Sequence, residues 1–265
     1  DLGAQMPMRT IGMLLGVPEQ DQEAIRSRLD GGLNLSDDSG MPTRDDYGVG
    51  ESMAMFGEYL DHRLAHPSDD LMSELIHTEF EDHTGVVRTL TRDEALGYIG
   101  LLSGAGNETT TRLIGWTGKV LAEHPDQRRE LAEDRSLIPN AIEELLRYEA
   151  PSPVQARYVT RDGTWHGTNV PEGSVLLLLN GAANRDEREF PDAESFDIHR
   201  NVGRHLTFSF GIHYCLGAHL ARLEGRVALD EVLQRFPEWE VDWDNDVQAH
   251  TSTVRGWEAL PVVVS

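Results

Sequence analysis

Along most of the chain the apolar residues recur three and four positions apart, the spacing of helices that bury one face. Met6 to Pro18 reads as a short helix with Pro7 near its start and Gly16 and Pro18 after it, and Glu19 to about Leu29 as a second. Met53, Phe56, Tyr59, Leu60 and Leu64 mark a third from about Gly50 to His66, ended by Pro67, and Leu71, Leu75 and Ile76 a fourth within Asp69 to Phe80. Thr91-Arg-Asp-Glu94 has the form of a capping box and opens a helix expected to reach His124. Pro125 to Asp134 and Pro139 to Tyr148 follow, the latter burying Ile142, Leu145 and Leu146. A last helix carries Leu216, Leu220, Leu223 and Val227 and ends near Arg235-Phe-Pro237. Strand patterns are few and short: Val154 to Thr160, Ser174 to Leu179, Trp239 to Trp243 and Pro261 to Val264. A turn at Asp162-Gly163 separates the first two, and Pro151 and Pro153 keep the entry to the first extended. The pattern therefore predicts a mainly α protein with small β sheets.

Two stretches break local rules. The long helix carries Gly104-Ala-Gly-Asn-Glu-Thr-Thr-Thr111 in its middle, where glycines and β-branched residues weaken a helix and hydroxyls compete for its carbonyls. Such a breach inside an otherwise sound helix points to a functional site, although an interface of small residues would use the same types. The second stretch is Phe208-Ser-Phe-Gly-Ile-His-Tyr-Cys-Leu-Gly217, which holds the chain's single cysteine at or just before a helix start. Free N–H groups and the helix dipole there favour thiolate. One thiolate cannot close a zinc site, but it suffices for haem iron, whose four equatorial bonds come from porphyrin. A buried inert cysteine, or a metal cluster of Cys215 with His205, His213 and His219, remains open on the residues alone.

Phe208-x-x-Gly211-x-His213-x-Cys215-x-Gly217 resembles the haem-binding signature of the cytochrome P450 family. Four more motifs agree in order along the chain. Ala105 to Thr110 is similar to the family's Ala-Gly-x-Glu/Asp-Thr-Thr, and Glu144 with Arg147 to its Glu-x-x-Arg; Arg157 and Arg200 match single positions further on. The resemblance implies a P450 fold whose N-terminal part is absent from this chain, residues 1–265 forming one haem-binding monooxygenase domain. Haem b would lie between the long helix and the cysteine helix, with Cys215 on the iron, Phe208, Gly217 and Ala105 framing the ring, and Arg157 and His213 at the propionates. Thr109 would hydrogen-bond dioxygen and Glu108 relay protons. Leu101, Gly104, Pro153, Val154, Gln155, Thr253 and Val254 would line the substrate cavity, and Glu144, Arg147 and Arg200 would form a buried structural network. The loop Gly31 to Gly50 would belong to a lid over the substrate, or be an ordinary surface loop.

Composition narrows the partners. A formal net charge of −23 over 265 residues argues against nucleic acid, which rewards basic patches. No apolar run reaches the length of a membrane span, and a lone cysteine suits a reducing cytoplasm. By resemblance, electrons come from a ferredoxin or flavodoxin-type donor with its reductase, and one atom of O2 enters a small apolar substrate. Arg222 and Arg226 on the cysteine helix are candidates for a basic docking patch, or ordinary exposed arginines. A non-catalytic haem or ligand-binding protein, a peroxide-driven peroxygenase and a zinc protein are the alternatives.

Overall fold

The computed structural model describes residues 2–31, 49–251 and 253–264. The chain forms two compact units, Asp1–Thr111 with His250–Ser252, and Arg112–Ala249 with Thr253–Ser265.

The first unit contains α1 (Leu2–Leu15), α2 (Glu19–Gly31), α3 (Val49–Ala65), α4 (Leu71–His77), the hairpin β1 (Phe80–Glu81) and β2 (Val87–Arg88), and the first part of α5 (Arg92–Glu123). Met8, Ile11, Leu15, Ile25, Phe56, Leu60, Met72 and Ile99 make its core. α1 begins earlier than the sequence predicts, so Pro7 lies inside the helix. Proline offers no N–H to the carbonyl four residues back, and that group, Gly3 O, accepts instead from Thr111 Oγ1 at 2.8 Å. The helix ends at Gly16, whose φ of 73° lets its N–H and that of Val17 turn back to the Met13 and Gly12 carbonyls at 3.0 and 2.8 Å. Any Cβ at Gly16 would run into the Asp70 side chain.

α4 is only seven residues long, shorter than the apolar spacing suggests. Asp70 caps it, accepting from Ser73 N at 2.9 Å, and also pairs with Arg63. The chain then leaves helical geometry because Asp82 organises a turn, taking the Thr84 N–H at 2.9 Å and the Arg88 Nε at 3.0 Å, so Phe80 falls in a hairpin. The capping box forms as its sequence predicts: Thr91 N donates to Glu94 at 2.8 Å and Glu94 N to Thr91 Oγ1 at 3.3 Å. Of the loop expected from Gly31 to Gly50, Gly31 belongs to α2 and Gly50 to α3, and residues 32–48 lie outside the described residues.

The second unit holds the rest of α5, then α6 (Pro125–Glu133), α7 (Ile138–Tyr148), β3 (Gln155–Tyr158), β4 (Gly163–Trp165), β5 (Thr168–Val170), β6 (Val175–Leu178), α8 (Asn180–Ala183), α9 (Ala218–Arg235), β7 (Trp239–Val241), β8 (Val247–Gln248), β9 (Trp257–Ala259) and β10 (Val262–Val264). Its strands pair antiparallel as β3 with β6, β4 with β5, β7 with β10 and β8 with β9. The hairpin β4–β5 is absent from the hydrophobic pattern because its turn is set by His166 and Gly167, at φ 51° and 81°, rather than by apolar alternation. α6 and α7 pack on α9 around Leu113, Leu121, Ile142, Leu145, Leu146, Leu229 and Leu233. The fold is mainly helical with small sheets, as the periodicity predicts. No helix among the described residues is long and apolar enough to cross a membrane.

Candidate functional site

Phe208 to Gly217 forms a compact loop ahead of α9. Ser209 at φ 63° and Gly211 at φ 65° reverse the chain, a 3-10 turn covers Gly211–His213, and Gly217 caps the helix. The Cys215 N–H donates to the Phe208 carbonyl at 2.9 Å, so the cysteine is fixed to the one buried aromatic ring of the loop. The rest of the loop is open. Ile212 is 97% exposed and Leu216 74%, Phe210, His213 and Cys215 are exposed, and a Cβ added at Gly217 would meet nothing within 4 Å. Apolar side chains held out around a sulfur on a rigid backbone make a surface shaped to be covered.

The thiol itself differs from expectation. Crowding by protein atoms on one side pushes Cys215 up from its ordinary value, although the Gly217 N–H and the Arg222 charge pull it down. The helix start supplies the donor the sequence predicts, but desolvation outweighs it. Since a metal ion deprotonates a coordinating thiol outright, this does not count against ligation.

Glu144, Arg147 and Arg200 come together. Glu144 and Arg147 have fully buried side chains and meet at 2.7 Å, and Arg200 Nε reaches the other side of the carboxylate at 3.0 Å. Arg147 also donates to the carbonyls of Asn184, Ala193 and Ser195, and Arg200 to those of Pro191, Asp192 and Ser195. The trio thus clamps α7 to the irregular segment before the cysteine loop. Neighbouring Asn184, also buried, accepts from Leu206 N at 2.7 Å and donates to Thr207 Oγ1 at 2.8 Å. Nothing in the sequence around Asn184 flagged it; only its partners more than twenty residues on reveal the role.

Pro153, Val154 and Gln155 meet the turn at Thr253 and Val254 through Ser152, whose Oγ donates to the Thr253 carbonyl at 2.8 Å and accepts from Gln155 Nε2 at 2.7 Å. Arg255 N to the Pro151 carbonyl at 2.8 Å closes the junction. Arg157, half-buried on β3, bonds only its neighbour's Ala156 carbonyl, and among the described residues no carboxylate pairs with it.

In the first unit, α5 runs unbroken through Gly104 to Thr111. Thr109 Oγ1 donates back to the Ala105 carbonyl at 2.7 Å, the intrahelical bond expected of a mid-helix hydroxyl, without opening the helix. Leu101, Ala105 and Thr109 share one face four residues apart; Leu101 is 59% exposed and Ala105 exposed, while Glu108 is buried. A Cβ at Gly104 would again meet open space.

The histidines do not gather round the cysteine. His205 is buried with Nε2 at 3.2 Å from Glu143, and no group of three or more metal-ligating side chains occurs among the described residues. Arg222, proposed from sequence as a docking cation, is held at 2.6 Å by Glu143, a residue the sequence did not single out. Arg226 is 42% exposed, with Nη2 4.0 Å from the same carboxylate.

Residues 53–256 match the profile of the family described as Cytochrome P450. The chain is 39% identical over its whole length to cytochrome P450 123 of Mycobacterium tuberculosis, spanning 65% of that protein. It is 38% identical over 98% of its length to the vitamin D(3) 25-hydroxylase of Pseudonocardia autotrophica, spanning 63%. Among solved structures, open cytochrome P450 Eryk of S. erythraea superimposes with a TM-score of 0.90 at 33% identity, over 99% of this chain and 67% of that one. CYP109E1 of Bacillus megaterium in complex with corticosterone gives 0.86 at 31% identity, over 98% and 70%. The chain belongs to the cytochrome P450 family, whose members carry haem b. It spans about two-thirds of the length of these relatives.

The residues of the second unit fit that group. The sole thiol stands on a fixed loop among exposed apolar side chains, an added Cβ at Gly217 would meet open space, and Arg157 is a guanidinium without a carboxylate among the described residues, suited to a propionate.

Proposed function

We propose that this chain is the haem-binding part of a monooxygenase that inserts one atom of O2 into a small apolar organic substrate and releases the other as water. The balance takes two electrons and two protons per turnover, and the electrons would come from a separate ferredoxin or flavodoxin-type donor with its reductase. When bound, haem supplies the one-electron and dioxygen chemistry that no side chain possesses. The observation that carries the reading is Cys215, the only cysteine, exposed on the loop ahead of α9 with its N–H tied to Phe208.

In this reading Cys215 holds the iron, His213 and Arg157 hold the propionates, and Phe208, Gly217 and Ala105 frame the ring. Thr109 Oγ1, now donating to the Ala105 carbonyl, turns to pass a proton toward dioxygen, and the buried Glu108 supplies it. Leu101, Gly104, Pro153, Val154, Gln155, Thr253 and Val254 line the substrate and exclude water. The bond chain from Gln155 through Ser152 to Thr253 supports this, since it joins two of these segments into one wall. Relatives named as hydroxylating vitamin D(3) or solved with corticosterone favour an apolar substrate. The Cys215 thiol suits the reducing cytoplasm. The test is the spectrum of the reduced, haem-loaded protein under carbon monoxide. A thiolate-type band that Cys215→Ser abolishes is expected, and a band that survives the substitution ends the assignment.

A further inference from the structure

Glu143 takes no part in the roles above, yet it joins three segments around the cysteine. Its carboxylate accepts from Arg222 Nε at 2.6 Å and Nη2 at 3.0 Å, and lies 3.2 Å from His205 Nε2. The Arg222 guanidinium in turn sits 4.4 Å over the Phe208 ring and reaches the Tyr214 hydroxyl at 3.3 Å. His205 tilts against the same ring at 5.7 Å. Phe208 closes the chain of contacts, because its carbonyl accepts the Cys215 N–H at 2.9 Å. Burial opposes the charge on Glu143, but hydrogen bonds from His205 and Arg222, and their charges, overcome it and hold the carboxyl at about 2. Glu143 is therefore ionised at neutral pH, and it partly compensates the Arg222 charge held against Phe208 and Tyr214 of the cysteine loop.

We propose that Glu143 is a positioning residue for the iron ligand: through Arg222 it fixes Phe208 against the cysteine loop and sets how much positive charge the sulfur feels. The inference rests on Cys215 being that ligand. Glu144, the next residue, faces Arg147 and Arg200 instead, so adjacent carboxylates on α7 serve separate tasks.

The test measures the ferric–ferrous reduction potential of the haem-loaded protein. Glu143→Gln removes a negative charge and leaves Arg222 uncompensated, which favours the more negative reduced site, so the potential rises. Arg222→Gln removes the positive charge, so the potential falls; Arg222→Lys keeps the charge and stays close to the parent. A loosened loop alone would move Glu143→Gln and Arg222→Gln the same way. Opposite shifts with the thiolate-type carbon monoxide spectrum retained support the proposal. Parallel shifts, no shift, loss of that spectrum in both glutamine variants, or a lysine variant that tracks Arg222→Gln overturn it. A parent protein lacking the thiolate spectrum refutes the assignment of Cys215 instead, which separates the two failures.

Discussion

Arg147→Met tests whether the trio that ties α7 to Arg200 holds the second unit together. The Arg147 side chain is fully buried and makes five hydrogen bonds, two to Glu144 and three to the carbonyls of Asn184, Ala193 and Ser195. Removing one member of a buried pair costs about 3–5 kcal/mol, because the remaining charge is left without its partner. Here Arg200 Nε at 3.0 Å and Asp197 N at 3.1 Å still serve Glu144, which pulls the figure to the lower end. Three carbonyls that lose a donor pull it back, at about 1–3 kcal/mol for each one that water cannot reach. A loss of about 4 kcal/mol is expected, a large share of the roughly 5–15 kcal/mol that domains possess. The contrast is Lys119→Met, which breaks the 2.6 Å pair with Glu123, whose side chains are 21% and 43% exposed. That surface pair contributes only about 0.3–0.5 kcal/mol. Urea unfolding without added haem, followed by the fluorescence of Trp116, Trp239 and Trp257 in the same core, reads both. An Arg147→Met loss below about 1 kcal/mol, or one equal to that of Lys119→Met, would refute the argument.

Two further outcomes follow from single contacts. Glu143 is depressed from its ordinary 4.5 to about 2, so its ion pairs contribute stability that is complete above pH 4.5 and disappears as pH falls toward 2. The shift sets a ceiling of about 3 kcal/mol, reduced by solvent screening of this part-exposed pair; the stability gap between the parent and Glu143→Gln should close across that window in acid unfolding, and a gap independent of pH would sink the linkage. Thr111→Val removes the donor to the Gly3 carbonyl and should cost about 1–2 kcal/mol. In a Pro7→Ala background the backbone regains its own N–H, so the same substitution should cost markedly less; strict additivity in thermal melts would show the bond to be idle.

What could be read without coordinates was what local chemistry dictates. The capping box at Thr91 and Glu94 forms because both partners lie within one turn, and prolines at 67 and 125 end or open helices because they lack a donor. Glu144 and Arg147 are legible for the same reason, being three apart. The misreadings share the opposite cause. Pro7 is tolerated inside α1 only because a hydroxyl 108 residues from Gly3 supplies the missing donor. Phe80 leaves the helical pattern because Asp82 prefers its own turn, and the thiol of Cys215 rises because crowding by the folded loop outweighs the helix start.

Glu143 shows the limit most clearly. The one cation four residues along its helix, Arg147, is taken by Glu144, and Glu143's own partners His205 and Arg222 arrive from 62 and 79 residues away. Yet the need for them was implicit in α7. This helix and its C-cap carry Glu143, Glu144 and Glu149, and the last two are buried. A carboxylate drawn inside must bring a cation or lose its charge. Each does bring one: Arg222 to Glu143, Arg147 and Arg200 to Glu144, and Arg185 at 3.2 Å with Arg255 to Glu149. Arginine rather than lysine fills all five positions, as its planar fork pairs with a carboxylate while still reaching backbone carbonyls. In a chain with 46 acidic and 23 basic residues, five of the basic ones are thereby committed to a single helix and its cap, and the excess of negative charge falls to the remainder.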